Sequence, residues 1–284
     1  MLHRPARTAL SCALGLTVLA APAHATGSSR QVELFSQSLA LHVAAPSGQP
    51  LKAVVVVTST GDGWRGLART VAEHLTSDGY AVLGLDARTY LLEATRLSGG
   101  LAPAAVPEDY LAILRSAHEW FPGAQRFFLI GISEGAGLSL VAAADPRVSA
   151  QLTGVVGVET PTGVSLRTPY WNWTSWITHK DADQMTVDSV DYLAAVAPTP
   201  VSFIHATDDP AAPLDAVQAV FANGGEPRRL DQIASERPAF DDAPRAFFSA
   251  LRGCLEWSTR RSPDTMPNQP EGPWFSGRPG RSRR

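Results

Sequence analysis

The chain has 284 residues, 44% of them hydrophobic, with 24 Lys and Arg against 27 Asp and Glu for a net charge of −3. That mildly acidic balance argues against a nucleic-acid partner, which requires a basic footprint, and the hydrophobic share suffices for one large core without staples. The only cysteines are Cys12 and Cys254, and no Cys/His spacing suggests a metal site, so neither a structural metal nor a cofactor is expected.

The N-terminus reads as a secretory signal. Arg4 and Arg7 form a basic start, Thr8 to Leu19 a short apolar core, and Ala23-His24-Ala25 an A-x-A cleavage site. The run is too short and too polar at its edges for a good membrane span. Cleavage after Ala25 is therefore expected, with a periplasmic or secreted product whose net charge falls to −5 as Arg4 and Arg7 leave. Cys12 precedes no convincing lipobox, so release is expected rather than lipid anchoring. Only Cys254 survives processing; it shares a helical face with Phe247, Leu251 and Leu255 and reads as a small buried hydrophobe.

Gln31 to Phe35 and Leu39 to Ala44 alternate like a hairpin at a sheet edge. Leu51 to Thr58 is a β-branched run of the kind buried on both faces. A glycine loop, Ser59 to Gly63, leads to a helix with Trp64, Leu67, Ala68, Val71, Ala72 and Leu75 on one face, stopped at Gly79. Tyr80 to Leu85 is the next buried strand. A loop is then expected up to a helix from about Pro107 to Trp120. Arg126 to Ile132 and Leu152 to Val158 are further strands. Thr160 to Ser189 breaks the rhythm with Tyr170, Trp171, Trp173 and Trp176 and reads as a cap insertion. Alternation resumes with a helix near Val190 to Val196, strand Val201 to His205, helix Leu214 to Ala222, strand Arg229 to Ile233 and helix Pro244 to Trp257. Alternating strands and helices define an α/β domain with a mostly parallel central sheet and helices on both faces. Its span is 26–258, with the cap at about 160–189. Residues 259–284, rich in Pro, Gly and Arg without periodicity, read as a disordered tail.

The stretch Gly131-Ile132-Ser133-Glu134-Gly135 carries the chemistry. A bare G-x-S-x-G is a weak signal. Here an apolar strand precedes it and a small-residue helix follows, the setting of the nucleophile elbow of the α/β-hydrolase fold. Ser133 must sit on a strained turn, and glycines at 131 and 135 let strand and helix approach closely. Glu134 offers its backbone N–H to an oxyanion, and Gly61 and Asp62 in the glycine loop are candidates for the second donor. After strand 201–205, Asp209 is the candidate acid; Asp208 and Asp209 are also natural turn residues before Pro210. The base should follow the last strand, within Ala234 to Asp242, yet no histidine lies there or anywhere beyond His205. His205 is the candidate substitute, near Asp209 at its strand end, and His179 is a remoter one. His42, His74 and His118 fall away from the expected site.

Thr58-Ser59-Thr60-Gly61-Asp62-Gly63-Trp64, the elbow, and Phe203-Ile204-His205 running into Asp209 resemble the VirJ/AcvB-type branch of bacterial α/β-hydrolases, over roughly residues 51–257. The resemblance implies a periplasmic serine hydrolase with Ser133 as nucleophile and Asp209 as acid, and some members resemble enzymes that cleave aminoacyl esters of phosphatidylglycerol. The chain keeps Phe240 of the family's last loop but has Arg237-Pro238 where the histidine belongs. Two functions stay open: an ester hydrolase on a small-molecule or lipid-linked substrate, or an impaired pseudo-hydrolase that binds without turnover. Trp171, Trp173 and Trp176 either line a substrate pocket, rest at a membrane interface as a peripheral contact, or pack the cap onto the body.

Overall fold

The computed structural model describes residues 27–167, 186–209 and 213–262. The segment read as a signal, the residues Tyr170, Trp171, Trp173, Trp176 and His179 of the expected cap, and nearly all of the expected C-terminal tail lie outside the described residues.

An edge hairpin, β1 (Ser28–Leu34) and β2 (Gln37–Ala44), is followed by β3 (Ala53–Thr58), α1 (Leu67–Ser77), β4 (Tyr80–Leu85), α2 (Ala87–Ser98), α3 (Ala105–Trp120), β5 (Phe127–Ile132) and α4 (Glu134–Ala143). Then come the short α5 (Pro146–Ser149), β6 (Gly154–Val158), a small pair β7 (Gly163–Ser165) and β8 (Thr186–Asp188), α6 (Ser189–Leu193), β9 (Val201–Ala206), α7 (Leu214–Ala222), β10 (Arg228–Ile233) and α8 (Pro244–Arg261). Eight strands form one sheet in the order β1-β2-β4-β3-β5-β6-β9-β10. β1 and β2 are antiparallel to each other, β2 is antiparallel to β4, and the pairs from β4 to β10 are all parallel. β7 and β8 make a separate antiparallel pair.

Strands β3, β4, β5, β6 and β9 are buried at every position because helices cover both faces. Val71 and Leu75 of α1 pack with Phe247, Leu251 and Leu255 of α8 on one face. Tyr90 of α2, Ile113 of α3, Leu138 of α4 and Val217 of α7 pack on the other. Burying one leucine or isoleucine side chain in such a core is worth about 1.5–3 kcal/mol.

Two boundaries differ from the sequence reading. Residues 87–98, expected as loop, form α2. Asp86 caps it by accepting the Thr89 N–H at 3.0 Å, Gly99 ends it at φ 77, and Tyr90, Leu91, Ala94 and Thr95 give it a buried face. The last helix runs past Trp257 to Arg261, so residues 259–261 belong to the domain rather than to a tail; buried Ser258 and the Thr259 hydroxyl, bonded to the Leu255 carbonyl at 2.8 Å, carry it on.

Cys254 is fully buried, and its thiol donates to Asp231 Oδ2 at 3.1 Å. Burial first, then the neighbouring carboxylate, pushes that thiol far above its ordinary pKa. The histidines outside the site act as ring contacts. His42 stacks on Trp64 at 4.8 Å, His74 on Phe248 at 3.9 Å, and His118 tilts on Phe127 at 4.1 Å.

A buried polar cluster ties the edge hairpin to the helices. Asp109 accepts the Phe35 N–H and the Tyr90 hydroxyl, each at 2.7 Å, while Tyr110 and Thr58 share a hydroxyl contact at 2.7 Å. Burial outweighs these bonds and raises the Asp109 pKa. The folded state therefore keeps this proton to higher pH than the unfolded chain. Stability falls as pH rises from the unfolded value near 4 through the raised folded value, then levels off. Asp109→Asn can accept from Phe35 and donate to Tyr90 but cannot ionise. It is expected to lose less stability than the wild type between about pH 4 and about pH 7, read as the change in urea midpoint.

Candidate functional site

The site is built from strand ends that the register sets side by side. Ile132 of β5 pairs with Val158 of β6, and Val158 with Ile204 of β9. The next residue of each strand, Ser133, Glu159 and His205, therefore falls in one row at the carboxyl edge of the sheet.

Ser133 stands between β5 and α4 at φ 53 and ψ −119, a region that costs a non-glycine residue roughly 1–3 kcal/mol. It is held there from both sides. Its N–H donates to the Val158 carbonyl at 2.8 Å, and its carbonyl accepts the Ala136 N–H at 2.7 Å. The flanking glycines make the turn sterically feasible. A Cβ on Gly131 would lie 2.2 Å from the Gly135 carbonyl oxygen, and one on Gly135 would lie 2.3 Å from the Thr58 carbonyl oxygen. Gly137 does the same for β7, since a Cβ there would meet Val164 at 2.6 Å. Glu134 opens α4, so its N–H has no acceptor within the helix and carries the positive helix terminus.

In the loop after β3, the amides are turned to protein acceptors. Gly63 donates to the Thr60 carbonyl at 3.0 Å, Trp64 to Asp86 Oδ2 at 3.2 Å, and Asp62 to the Thr60 hydroxyl at 3.1 Å. The Asp62 carboxylate is exposed and sits 3.3 Å from Arg65 Nη2. Gly61 differs, because its N–H points at the elbow and donates to Glu134 Oε2 at 2.9 Å. The donor proposed for an oxyanion is thus occupied by the side chain of the residue next to Ser133.

His205 is fully buried, with Nδ1 2.8 Å from Glu159 Oε2. The other Glu159 oxygen accepts the Ala206 N–H at 2.6 Å, and the Glu159 N–H donates to the Ile204 carbonyl at 3.0 Å. Glu159 is itself at φ 50, a second strained non-glycine residue one strand from Ser133. Two strand spacings put the Ser133 and His205 Cα atoms about 10 Å apart. His205 is therefore a buried residue whose Nδ1 faces the Glu159 carboxylate of the neighbouring strand. Sequence reasoning passed over Glu159; the signal was a carboxylate closing an otherwise apolar buried strand, Gly154 to Val158.

Asp209 is buried just past β9, in the turn whose Asp208 N–H donates to the Ser235 carbonyl at 3.1 Å. That bond ties the turn bearing Asp209 to the loop after β10. In that loop the Ser235 hydroxyl donates to Asp242 Oδ1 at 2.5 Å, Arg237 pairs with Asp241 at 2.7 Å, and Phe240 is buried at φ 53 against Phe247. Arg237, Pro238 and Ala239 are exposed between these anchors. An open groove of about 510 Å³ lined by His42, Trp64, Arg69 and Glu73 lies on the β2 side of α1, and none of its lining residues belongs to the elbow.

This strand order, with a serine in a strained bend between the fifth strand and the following helix, defines an α/β-hydrolase fold. Solved structures agree on the fold. Est1E from Butyrivibrio proteoclasticus is 14% identical at a TM-score of 0.58, over 81% of this chain and 98% of its own. An esterase from Pyrococcus furiosus is 13% identical at 0.61, over 82% and 91%. A dienelactone hydrolase from Anabaena variabilis is 19% identical at 0.56, over 82% and 97%. The family model described as bacterial virulence protein (VirJ) matches residues 52–226, and the chain belongs to that family. The matched stretch holds the glycine loop, the elbow and Asp209, and ends before the loop after β10. No curated protein matches the sequence. Among the described residues no helix is long and apolar enough to cross a membrane.

Proposed function

We propose that the chain is an esterase-type hydrolase of the periplasm or the secreted fraction. Ser133 is the nucleophile, the Glu134 and Gly61 amides are the oxyanion donors, and Asp209 is the triad acid. The observation that carries this reading is the Ser133 backbone. A serine held at positive φ on the tip of a buried strand, at a cost a turn residue such as glycine would avoid, is placed for its hydroxyl. In the reaction Ser133 Oγ adds to the ester carbonyl, the alkoxide leaves with a proton, and water then releases the acid from the acyl-enzyme. The substrate class is a small or lipid-linked ester.

The empty base position sets the expected rate. Removing one member of a Ser-His-Asp triad costs on the order of 10⁴ to 10⁶, so turnover is slow. That same loop favours a second reading, a binding protein with an intact pocket and no useful turnover. A fluorophosphonate probe separates the two. The mature protein is expected to label slowly and to saturation, and Ser133→Ala not at all. Equal silence of both proteins would leave only the binding reading.

A further inference from the structure

We propose that the Glu134 side chain is a gate on the oxyanion pocket, a role separate from that of its backbone amide. The inference rests on the hydrolase reading above and adds a residue that limits the rate and charge preference of that site. Three of the loop amides that follow Thr60 are committed to acceptors in or beside their own turn: Asp62 to the Thr60 hydroxyl, Gly63 to the Thr60 carbonyl and Trp64 to Asp86. Gly61 alone of these four points across to the elbow, and its acceptor is Glu134 Oε2 at 2.9 Å. The fit is close: a Cβ on Gly61 would lie 3.2 Å from both Glu134 Cδ and Oε1. Glycine at 61 therefore lets the carboxylate sit against the loop backbone.

An ester oxyanion and this carboxylate compete for one donor. The carboxylate is favoured at rest, since it forms a charge-assisted bond and lies at the positive end of α4. It has to swing out before the carbonyl oxygen of a substrate can take the Gly61 N–H, and while it remains nearby it repels the developing negative charge. Glu134 is half-buried and joined to the elbow by a rotatable side chain, so the movement requires no change of backbone. A gate of this kind disfavours acyl groups that carry their own negative charge close to the ester.

The test is the rate of labelling by a neutral fluorophosphonate in wild type, Glu134→Ala, Glu134→Gln and Ser133→Ala. Freeing the Gly61 N–H from a charged acceptor is expected to raise the labelling rate of Glu134→Ala about tenfold. Glu134→Gln keeps an acceptor but loses the charge, and is expected to gain less. The Gly61 amide resonance is expected to move upfield in Glu134→Ala, which reports the contact whatever the activity. Ser133-dependent labelling of the wild type with no acceleration in either Glu134 variant would overturn the gate and leave the hydrolase reading standing. Absence of Ser133-dependent labelling in all the variants would overturn both.

Discussion

Gly131→Ala is expected to destabilise the protein by at least about 3 kcal/mol, read as a lowered urea midpoint. The added Cβ would lie 2.2 Å from the Gly135 carbonyl oxygen and 2.4 Å from Ala136 Cα. Both are backbone atoms, and α4 cannot yield to one without losing the other contacts that seat it. A Cβ on Gly135, on the opposite side of the same crossing, would meet the Thr58 carbonyl at 2.3 Å, so α4 is pressed between β5 and the end of β3. The exposed Gly123 has nothing within 4 Å of its Cβ position, and Gly123→Ala is expected within about 0.5 kcal/mol of wild type. A Gly131→Ala protein as stable as the Gly123→Ala control would mean that the elbow is not held by this crossing. In that case the strained backbone of Ser133 would need another cause.

How much of this was legible in the sequence depends on whether a signal is local. The β-branched run at 53–58, the apolar run at 80–85, the apolar strand before Ser133 and the glycines around it are local patterns, and each marks the element found there. Helix α2 had its marks too, Asp86 and Gly99 at its ends, but its charged and β-branched residues (Arg88, Thr89, Thr95, Arg96) hid a narrow apolar stripe. The site residues that were missed depend on contacts between strands. Glu159 matters because β6 lies between β5 and β9, and nothing in the run Gly154 to Thr160 states which strand will stand beside it. His205 looked available because it precedes Asp209 by four residues in the chain; in the fold it points into the core and meets Glu159. Glu134 was read for its amide, while its side chain reaches a loop 73 residues earlier.

The missing base leads to the most informative substitution. Pro238→His is expected to raise Ser133-dependent fluorophosphonate labelling about 10²-fold, the lower end of what a positioned general base supplies. The loop after β10 has a defined shape that would carry the imidazole. Ser235 is pinned to Asp242, the Phe240 N–H donates to the Arg237 carbonyl at 3.0 Å, and Phe240 itself is buried. Residues 237–240 thus form a tight turn with Pro238 and Ala239 at its exposed apex, where a new side chain displaces nothing in the core. The bond from the Asp208 N–H to the Ser235 carbonyl holds this turn beside the one bearing Asp209, so Asp209 and the new imidazole would come from adjoining loops. The labelling rate should also acquire a pH dependence, rising through about pH 6.5 as the imidazole loses its proton. Pro238→Ala should show neither change, and Ser133→Ala in the same background should remove the gain. A Pro238→His protein that melts like the wild type yet labels no faster would mean that this loop does not face the serine. Slow labelling of the wild type would then belong to the placement of the whole loop and not to one absent side chain.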